Sequence, residues 1–389
     1  MAKHSGLKSW TIKHTEALLP SDNTKKYRIK SLDVAADELA TAKSQLDDKC
    51  AKQSFLANWA MFDPFKQERA IIAEIGNAQN VSNAWLKCFE LIMAYGLVDS
   101  IKNIKPTESF MHFDNASFPG SFIIATHHLL NTLYPQEAGR YVWRGSSLLS
   151  ATKQTVKPLE DKYGLYERYP THWLMHEKNN GDVLSEANQR DFVAQIGGQV
   201  SLYTSDLGFD VSCDYNNQET LHQTANIGQI LSGLLTLKPG GSFITKQYTF
   251  FEPTTVAVMY ATSFFFDEFY LCKPFTSRMA NSETYLVGKG YRGGADFTHP
   301  YIKAMLDRIT GKTPIGIPMF DAKLYPKQYL TMIVNAAKTL SKDQIGKINL
   351  DLERVKDINA TLPLFQKECE PQLVEWFMLN PILPIKTGL

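Results

Sequence analysis

The stretch Leu202-Tyr-Thr-Ser-Asp206-Leu-Gly208-Phe-Asp210 decides the fold. An apolar run that ends on an acid beside a glycine predicts a buried strand followed by a tight loop. In a doubly wound sheet the carboxyl ends of the strands line the ligand crevice, so Asp206 is expected to point into a site. A strand-terminal Asp is also a common helix cap, and the motif alone leaves both interpretations open.

Short apolar runs alternate with helical patterns around this stretch, which is typical of a parallel α/β sheet. The predicted strands cover residues 109–114, 140–143, 200–205, 242–247, 268–272 and 284–287. The predicted helices between them cover 121–133, 218–237 and 253–266. No G-x-G-x-x-G fingerprint is present, so the pattern does not favour a dinucleotide-binding enzyme.

The outer parts of the chain have a different pattern. Residues 1–30 predict an irregular arm, and apolar residues at helical spacing predict helices over 31–53, 64–75 and 82–95. Residues 300–380 are mainly helical in pattern, with interruptions at Pro314, Pro318 and Pro326. We therefore predict a helical N-terminal extension (1–75), a central α/β domain (76–293) and a mainly helical C-terminal extension (294–389).

The bulk composition excludes several classes of protein. Of the 389 residues, 44% are hydrophobic and 21% charged, which is typical of a globular domain with a substantial core. The net charge of +1 gives no bulk attraction to a polyanion, so any nucleic-acid site must be local. Five scattered cysteines without a C-x-x-C pair indicate a reducing compartment. No apolar run is long enough to cross a bilayer, and we expect an intracellular, cytoplasmic protein without a membrane contact.

The stretch Phe113-Asp-Asn-Ala-Ser-Phe-Pro119-Gly120-Ser121-Phe122 predicts a strand, a tight loop of small residues and the start of a helix. Such a loop lets a ligand approach the backbone closely, and a helix N-terminus offers unpaired N–H groups to a carboxylate. A strand–turn–helix with Pro-Gly also occurs for purely structural reasons. The loop is therefore a candidate ligand site that needs support from elsewhere in the chain.

Three further charged residues lie at the end of a predicted strand, at the start of another or on a predicted helix. Lys246 closes the strand Gly240-Gly-Ser-Phe-Ile-Thr-Lys246, where a buried ammonium is costly unless it is paired. Glu283 stands at the entrance to the last predicted strand, and Lys87 lies on the helix before the first. Taken singly, each is equally well explained as a solvated surface charge.

Together, the motifs between Asn83 and Lys289 resemble the FtsJ-like family of RNA ribose 2′-O-methyltransferases. The phrases that match are Pro-Gly-x-Phe, Asp-x-Gly-Phe-Asp, Gly-Gly-x-Phe-x-x-Lys and Ser-Arg-x-x-Asn-Ser-Glu-x-Tyr, in the family's order and spacing. The chain is similar to the cap-type branch and to the FtsJ-like proteins of large cytoplasmic DNA viruses. The resemblance implies a Rossmann-like S-adenosylmethionine-dependent methyltransferase fold, with a mostly parallel seven-stranded sheet and helices on both faces. Here that fold would have helical N- and C-terminal extensions.

The resemblance also implies a catalytic tetrad, which maps onto Lys87, Asp206, Lys246 and Glu283. A ribose hydroxyl is a poor nucleophile and must lose its proton as it attacks the methyl group. Lys246 is the expected general base, and burial beside a second ammonium favours the neutral amine that this role needs. The two acids would hold the lysines and the hydroxyl in place.

The loop at the start of the predicted helix, within the stretch Phe113–Phe122, is called the helix-start loop below. For the cofactor, the family pattern places this loop beside the methionine moiety and the ribose, and Asp182 near the adenine. The expected contacts are Pro119, Gly120, Ser121, Phe122, Ser146, Asp182 and Asp206. Two departures stand out: the usual second glycine of Pro-Gly-Gly is Ser121, and no acid follows the second strand in 144–148. In place of that acid, Ser146 or Ser147 is expected to bind the ribose hydroxyls.

The expected partner is RNA, with the 5′ end of capped mRNA as the leading target and other capping or transcription proteins as further partners. The candidate RNA contacts are Arg278, Asn281 and Ser282. They belong to the region 271–340, which contains ten Lys or Arg residues and only four Asp or Glu residues. An internal ribose of structured RNA is an alternative target. A non-enzymatic RNA-binding or virion-associated protein is the alternative function.

No metal ion is expected. His172 and His176 are spaced i, i+4, but no Glu occupies the H-E-x-x-H position and no third ligand is evident.

Overall fold

The computed structural model describes residues 6–14, 17–21, 25–50, 52–148, 160–209 and 214–389. Within these ranges the chain forms one seven-stranded sheet. The strands are β1 (Lys8–Thr11), β2 (Phe110–Asn115), β3 (Tyr141–Ser146), β4 (Val200–Ser205), β5 (Leu237–Gln247), β6 (Phe266–Lys273) and β7 (Thr284–Tyr291). The Asp210 that closes the opening motif, and Cys213, lie outside the described residues.

The sheet has the order β1-β6-β7-β5-β4-β2-β3. Strands β3, β2, β4 and β5 pair in parallel, whereas β7 is antiparallel to both β5 and β6, and β1 is antiparallel to β6. Strands β2 to β6 therefore all run in one direction. The predicted α/β fold with a mostly parallel seven-stranded sheet is confirmed.

The seventh strand comes from an unexpected place. The sequence pattern gave six strands and an irregular arm over residues 1–30, but β1 lies within that arm and pairs Lys8 to Thr11 with Lys273 to Tyr270 of β6. The prediction of an irregular arm was therefore wrong over this segment. The open edge of β6 offers unpaired backbone N–H and C=O groups, and a short segment from the arm satisfies them.

Helices cover both faces of the sheet. The N-terminal helices are α1 (Lys30–Ser44), α2 (Asp47–Cys50), α3 (Gln53–Trp59), α4 (Glu68–Ile75) and α5 (Asn83–Tyr95). Those of the middle are α6 (Ser121–Leu133), α7 (Leu165–Arg168), α8 (Glu186–Ile196), α9 (Gln218–Thr236) and α10 (Pro253–Ser263). The C-terminal helices are α11 (Pro300–Ile309), α12 (Lys327–Arg354) and α13 (Ile358–Leu379).

The strands alternate their side chains between two apolar cores. On β5, Phe243 belongs to the core under α8 to α12, and its neighbour Ile244 belongs to the core under α5 and α6. The same alternation separates Leu286 from Val287 on β7. Because side chains of a strand point alternately to opposite faces, each strand is buried on both faces. This explains why these strands read as nearly continuous apolar runs.

The C-terminal extension is joined to the central domain by a buried carboxylate. Glu90 on α5 accepts hydrogen bonds from the backbone N–H groups of Phe275 (2.8 Å) and Thr276 (3.0 Å). It also accepts one from the indole N–H of Trp376 on α13 (3.2 Å). Glu90 is 1% exposed, so these donors replace the water it has lost. The predicted domain boundaries at 75/76 and 293/294 stay a prediction.

Candidate active site

Asp206 and Lys246 meet at the carboxyl edge of the two central parallel strands. Ser205 is in register with Thr245, so the residue after β4 lies beside the penultimate residue of β5. Lys246 Nζ donates to the backbone oxygen of Asp206 at 2.8 Å and lies 3.3 Å from Asp206 Oδ1. A Cβ on Gly208 would lie 2.6 Å from the Tyr248 hydroxyl and 2.8 Å from Lys246 Nζ, so a larger residue at this position would displace the ends of both side chains.

Lys87 and Glu283 complete the group of four. Lys87 projects from α5 and forms a close ion pair with Glu283, which precedes β7. Lys87 Nζ also lies 3.9 Å from Asp206 Oδ2. The structure thus brings together all four side chains that the family pattern predicted, in an alternating arrangement of two cations and two anions. Their catalytic role stays a prediction.

The charges in this group support one another. Burial raises the pKa of Glu283, but the ammonium groups of Lys87 and Lys246 outweigh burial and hold that pKa well below its ordinary value. Glu283 is therefore ionised at neutral pH. Lys87 and Lys246 are 7% and 8% exposed. Because buried charges are tolerated only when they are paired, each lysine depends on the acid beside it.

Tyr285 is a member of the group that the sequence reasoning missed. Its hydroxyl donates to Asp206 Oδ1 at 2.8 Å and also lies against Glu283 Oε1. Burial raises the Tyr285 pKa, and the two carboxylates raise it further, so the group remains a neutral donor. The sequence contained a signal for Tyr285. It lies two residues beyond Glu283, and residues i and i+2 of a strand share a face, so the two side chains are expected on the same side of the sheet.

Lys273 was also missed. This fully buried lysine at the end of β6 donates to the backbone oxygens of Asn281 (2.9 Å) and Glu283 (2.8 Å) and to Asn281 Oδ1 (2.9 Å). Three acceptors match the three N–H groups of an ammonium. Burial lowers the Lys273 pKa to about 7. Lys273 therefore anchors the segment that positions Glu283. Among the described residues, its ammonium forms no hydrogen bond or ion pair with Lys87, Asp206 or Lys246.

The helix-start loop lies at the same edge of the sheet. Gly120 begins α6 with a φ of 106°, a left-handed conformation that favours glycine, and a Cβ there would lie 2.3 Å from Leu165 Cδ1. Beneath the loop, Asp114 accepts hydrogen bonds from Ser117 (2.7 Å) and Thr204 (2.6 Å). Burial raises the Asp114 pKa to about 7. These contacts hold the loop against the ends of β2 and β4, at the start of α6.

The other predicted residues of the loop differ in what they can offer. Pro119 is half-buried. Ser121 Oγ lies 2.9 Å from Ser82 Oγ and 3.4 Å from the Tyr163 hydroxyl, so its side chain already has protein partners. Phe122 is 2% exposed and packs in the core under α5 and α6. The Phe122 ring therefore points into the core, and a contact of this residue with the cofactor stays a prediction.

The loop meets two further predicted elements. Ser147 Oγ accepts a hydrogen bond from the N–H of Phe118 at 2.9 Å. A Cβ on Gly181 would lie 2.0 Å from the Ser147 carbonyl oxygen, so the Gly181-Asp182 element packs directly on the end of β3. Asp182 is half-buried, and its Oδ1 accepts from the N–H of Leu184 at 2.9 Å. The three loops therefore form one continuous surface.

Ser146 supplies the test of whether this surface fits a ligand. Its residue is fully buried, and Oγ has no hydrogen-bond partner among the described residues. A buried hydroxyl without a partner is costly, and a ligand hydroxyl would satisfy it. Together with the helix start that follows Gly120, this hydroxyl fits a ligand that bears hydroxyl groups and a carboxylate, as S-adenosylmethionine does.

The three predicted RNA contacts are not equivalent. Asn281 Oδ1 accepts from Lys273 and from the N–H of Glu283 (3.1 Å), and Ser282 Oγ is bonded to Gln344 (3.2 Å). Their side chains therefore already have hydrogen-bond partners within the protein, and their role in binding RNA stays a prediction. Arg278 is half-buried, and its guanidinium forms no hydrogen bond or ion pair with any described residue.

Within the described ranges, no group of three His, Cys, Asp or Glu side chains is arranged to hold a metal ion. In the same part of the chain, no helix is both long enough and apolar enough to cross a membrane. The four described cysteines, Cys50, Cys88, Cys272 and Cys369, are buried.

Comparison with known proteins agrees with this geometry. A family model described as FtsJ-like methyltransferase matches residues 80–291. The probable methyltransferase EP424R of African swine fever virus (isolate Pig/Kenya/KEN-50/1950) is 33% identical over 338 residues, which cover 82% of this chain and 75% of that protein. The cap-specific mRNA (nucleoside-2′-O-)-methyltransferase 2 of Drosophila melanogaster is 28% identical over 360 residues, covering 89% of this chain and 49% of that protein. The chain therefore belongs to the FtsJ-like methyltransferase family.

Proposed function

We propose that this protein is an S-adenosylmethionine-dependent RNA ribose 2′-O-methyltransferase that acts on the cap-proximal nucleotide of mRNA. The observation that carries the proposal is the alternating group of Lys87, Asp206, Lys246 and Glu283 at the carboxyl edge of the sheet. Folding alone does not require two buried lysines paired with two half-buried acids at this place. The similarity to a cap-specific 2′-O-methyltransferase supports the choice of target.

In this proposal Lys246 takes the proton of the ribose hydroxyl. A neutral amine has two N–H groups and one lone pair. The two N–H groups match the backbone oxygen and Oδ1 of Asp206, at 2.8 and 3.3 Å, and the lone pair is left for the incoming proton. Lys87 lowers the pKa of Glu283 and so keeps that carboxylate ionised beside it. S-Adenosylmethionine, when bound, supplies the electrophilic methyl group on its sulfonium sulfur.

The cofactor would be held by the helix-start loop at Gly120, by Ser146 and by the Gly181-Asp182 element. These residues lie at the same edge of the sheet as Lys246, so they are positioned to align the methyl group with the target hydroxyl. Alignment of this kind supplies roughly 7–11 kcal/mol of a barrier.

The proposal is tested with labelled cofactor and two RNAs of one sequence, one capped and one uncapped. Label is expected on the 2′-oxygen of the first transcribed nucleotide of the capped RNA. Equal labelling of both RNAs would exclude cap dependence and favour an internal ribose. Lys246→Ala is expected to abolish transfer and retain cofactor binding, whereas Lys238→Ala, at the other end of β5, is expected to behave as the wild type.

The alternative is an RNA-binding or virion-associated protein that has lost turnover. Two observations favour it: Ser121 replaces the second glycine of the loop, and no acid follows β3. Calorimetry with S-adenosylmethionine separates the two functions. Binding at micromolar concentration supports the enzyme, and no binding at that concentration supports the alternative.

A further inference from the structure

A cavity of 340 Å³ lies beside the candidate active site and is built largely by the N-terminal extension. One wall comes from α1, α2 and α3, and includes Phe55 and Trp59. The opposite wall comes from Tyr215 and from the segment 278–282, which leads to Glu283. The residues of the first wall lie outside the region 80–291 that matches the family model. Arg278, Asn281 and Ser282 of the opposite wall are the candidate RNA contacts named from the sequence, but the family match assigns nothing to the wall that α1, α2 and α3 build.

The side chains that line the cavity favour a flat, anionic ligand. Phe55, Trp59 and Tyr215 are aromatic, and the Phe55 and Trp59 ring centroids are 5.5 Å apart. Lys43 and Arg278 are cationic, and none of the described lining residues is Asp or Glu. In a chain whose net charge is only +1, this local excess of cations is a specific feature. Aromatic rings with cations and no acids are the surroundings in which a nucleobase stacks and its phosphate is neutralised.

The two cations have different roles. Lys43 is 6% exposed and donates to the backbone oxygen of Tyr215 at 3.0 Å, so it holds the wall in place. Arg278 is half-buried and has no hydrogen-bond or ion-pair partner among the described residues. A guanidinium removed from water without an acid is costly, and its planar donors match a phosphate. Arg278 is therefore the cation that remains available to a ligand.

The cavity wall is rigidly coupled to the candidate catalytic group. Asn281, which lines the cavity, accepts hydrogen bonds from Lys273 and from the N–H of Glu283. Ser282 is bonded to Gln344 on α12. A ligand in the cavity would thus contact the segment that carries Glu283, close to the ribose that the enzyme would methylate.

We propose that this cavity is a nucleobase subsite. In it, a base of the RNA that neighbours the methylated ribose stacks on Trp59 while Arg278 binds its phosphate. The proposal rests on the RNA substrate proposed above and adds the site that positions it. The base comes either from the cap guanine or from a transcribed nucleotide, since both have the same stacking and phosphate chemistry.

The test measures the affinity of the full chain for a short RNA by fluorescence anisotropy, with capped and uncapped forms of one sequence. Trp59→Ala is expected to weaken binding roughly 5- to 100-fold, the range that stacking of one base supplies. Trp59→Phe keeps an aromatic face and is expected to retain most of the affinity. Arg278→Gln is expected to weaken binding and to reduce the salt dependence by about one phosphate contact. Phe297→Ala, a half-buried aromatic that lines none of the described cavities, is the matched control.

Several outcomes are informative. Loss confined to capped RNA identifies the cap guanine as the occupant, and equal loss for both RNAs identifies a transcribed base. The proposed subsite is overturned if the Trp59→Ala variant and the Arg278→Gln variant both bind RNA within twofold of the wild-type affinity. Affinity for S-adenosylmethionine reports whether each variant is folded, and Arg278→Gln tests the proposal if Trp59→Ala does not fold. Failure of the proposed function is seen separately, as a wild type that binds no cofactor or transfers no methyl group.

Discussion

Replacing Tyr285 by Phe removes a single oxygen atom from the centre of the candidate active site. The ring is fully buried and keeps its packing, so the change isolates the hydroxyl. That hydroxyl donates to Asp206 Oδ1 at 2.8 Å and touches Glu283. A hydrogen bond to a charged group contributes about 1.5–3 kcal/mol. In the variant, Asp206 still forms its ion pair with Lys246, and Glu283 still forms its ion pair with Lys87. We therefore expect the lower end of this range, a rise of about 1.5 kcal/mol in the barrier to methyl transfer.

That rise corresponds to a roughly tenfold fall in kcat. The assay is methyl transfer to capped RNA at saturating RNA and cofactor, with the cofactor Kd measured by calorimetry. The Kd is expected to stay unchanged, because Tyr285 contacts neither the helix-start loop nor Ser146. The raised pKa of Tyr285 keeps the hydroxyl protonated, so the tenfold loss should be the same at every assay pH.

The matched control is Tyr291→Phe on the same strand. Its hydroxyl donates to the backbone oxygen of Leu234 at 2.7 Å, on the other face of the sheet. This variant is expected to lose stability and to keep its kcat. The reasoning is refuted if Tyr285→Phe retains kcat within twofold of the wild type, or if the two variants lose the same activity.

Three further predictions concern the groups around this centre. Lys273→Met removes the side-chain donor to the backbone oxygens of Asn281 and Glu283 and should lower the free energy of unfolding by about 1–3 kcal/mol, measured by urea denaturation. Glu283 has a depressed pKa in the folded state, so its ionisation stabilises the fold above its unfolded pKa of about 4.3, and this contribution is lost as the pH falls through the folded pKa. Glu283→Gln should therefore flatten the acid limb of a plot of stability against pH; an unchanged limb contradicts the ion-pair assignment. The Ser146 hydroxyl has no hydrogen-bond partner within the described chain, so Ser146→Ala should change the free energy of unfolding by less than about 0.5 kcal/mol. The same variant should bind S-adenosylmethionine about fivefold more weakly. An unchanged calorimetric Kd removes Ser146 from the cofactor site.

The elements with strong local patterns were predicted closely. The prediction of 200–205 coincides with β4, and the prediction of 121–133 coincides with α6. The predicted helix at 31–53 was wrong in one respect, because α1 ends at Ser44 and a separate short helix follows. The predicted start of β5 at 242 was also late, since the strand begins at Leu237 and passes through Gly240 with a φ of 81°. Helix and strand ends depend on hydrogen bonds to neighbours, which a local pattern does not contain.

The missed side chains have a common physical reason. Tyr285 ends a motif that resembles the family and Lys273 lies outside the motifs, but the importance of both comes from burial and from partners on other elements. The same reason explains why the side chains of Phe122 and Ser282, whose motif positions suggested ligand contact, pack or bond within the protein. A motif identifies residue types, whereas the direction of each side chain follows from the packing of helices against the sheet.

The sequence by itself determined the α/β alternation, the family and the four charged residues of the candidate centre. Periodicity and motif spacing are local properties, so they can be read along the chain. Only the tertiary structure decided that β1 closes the edge of the sheet, that Tyr285 and Lys273 support the acids, and that the N-terminal helices build a cavity beside Arg278. Each of these depends on segments far apart in the chain, whose contact is set by the burial of apolar faces and the pairing of buried polar groups.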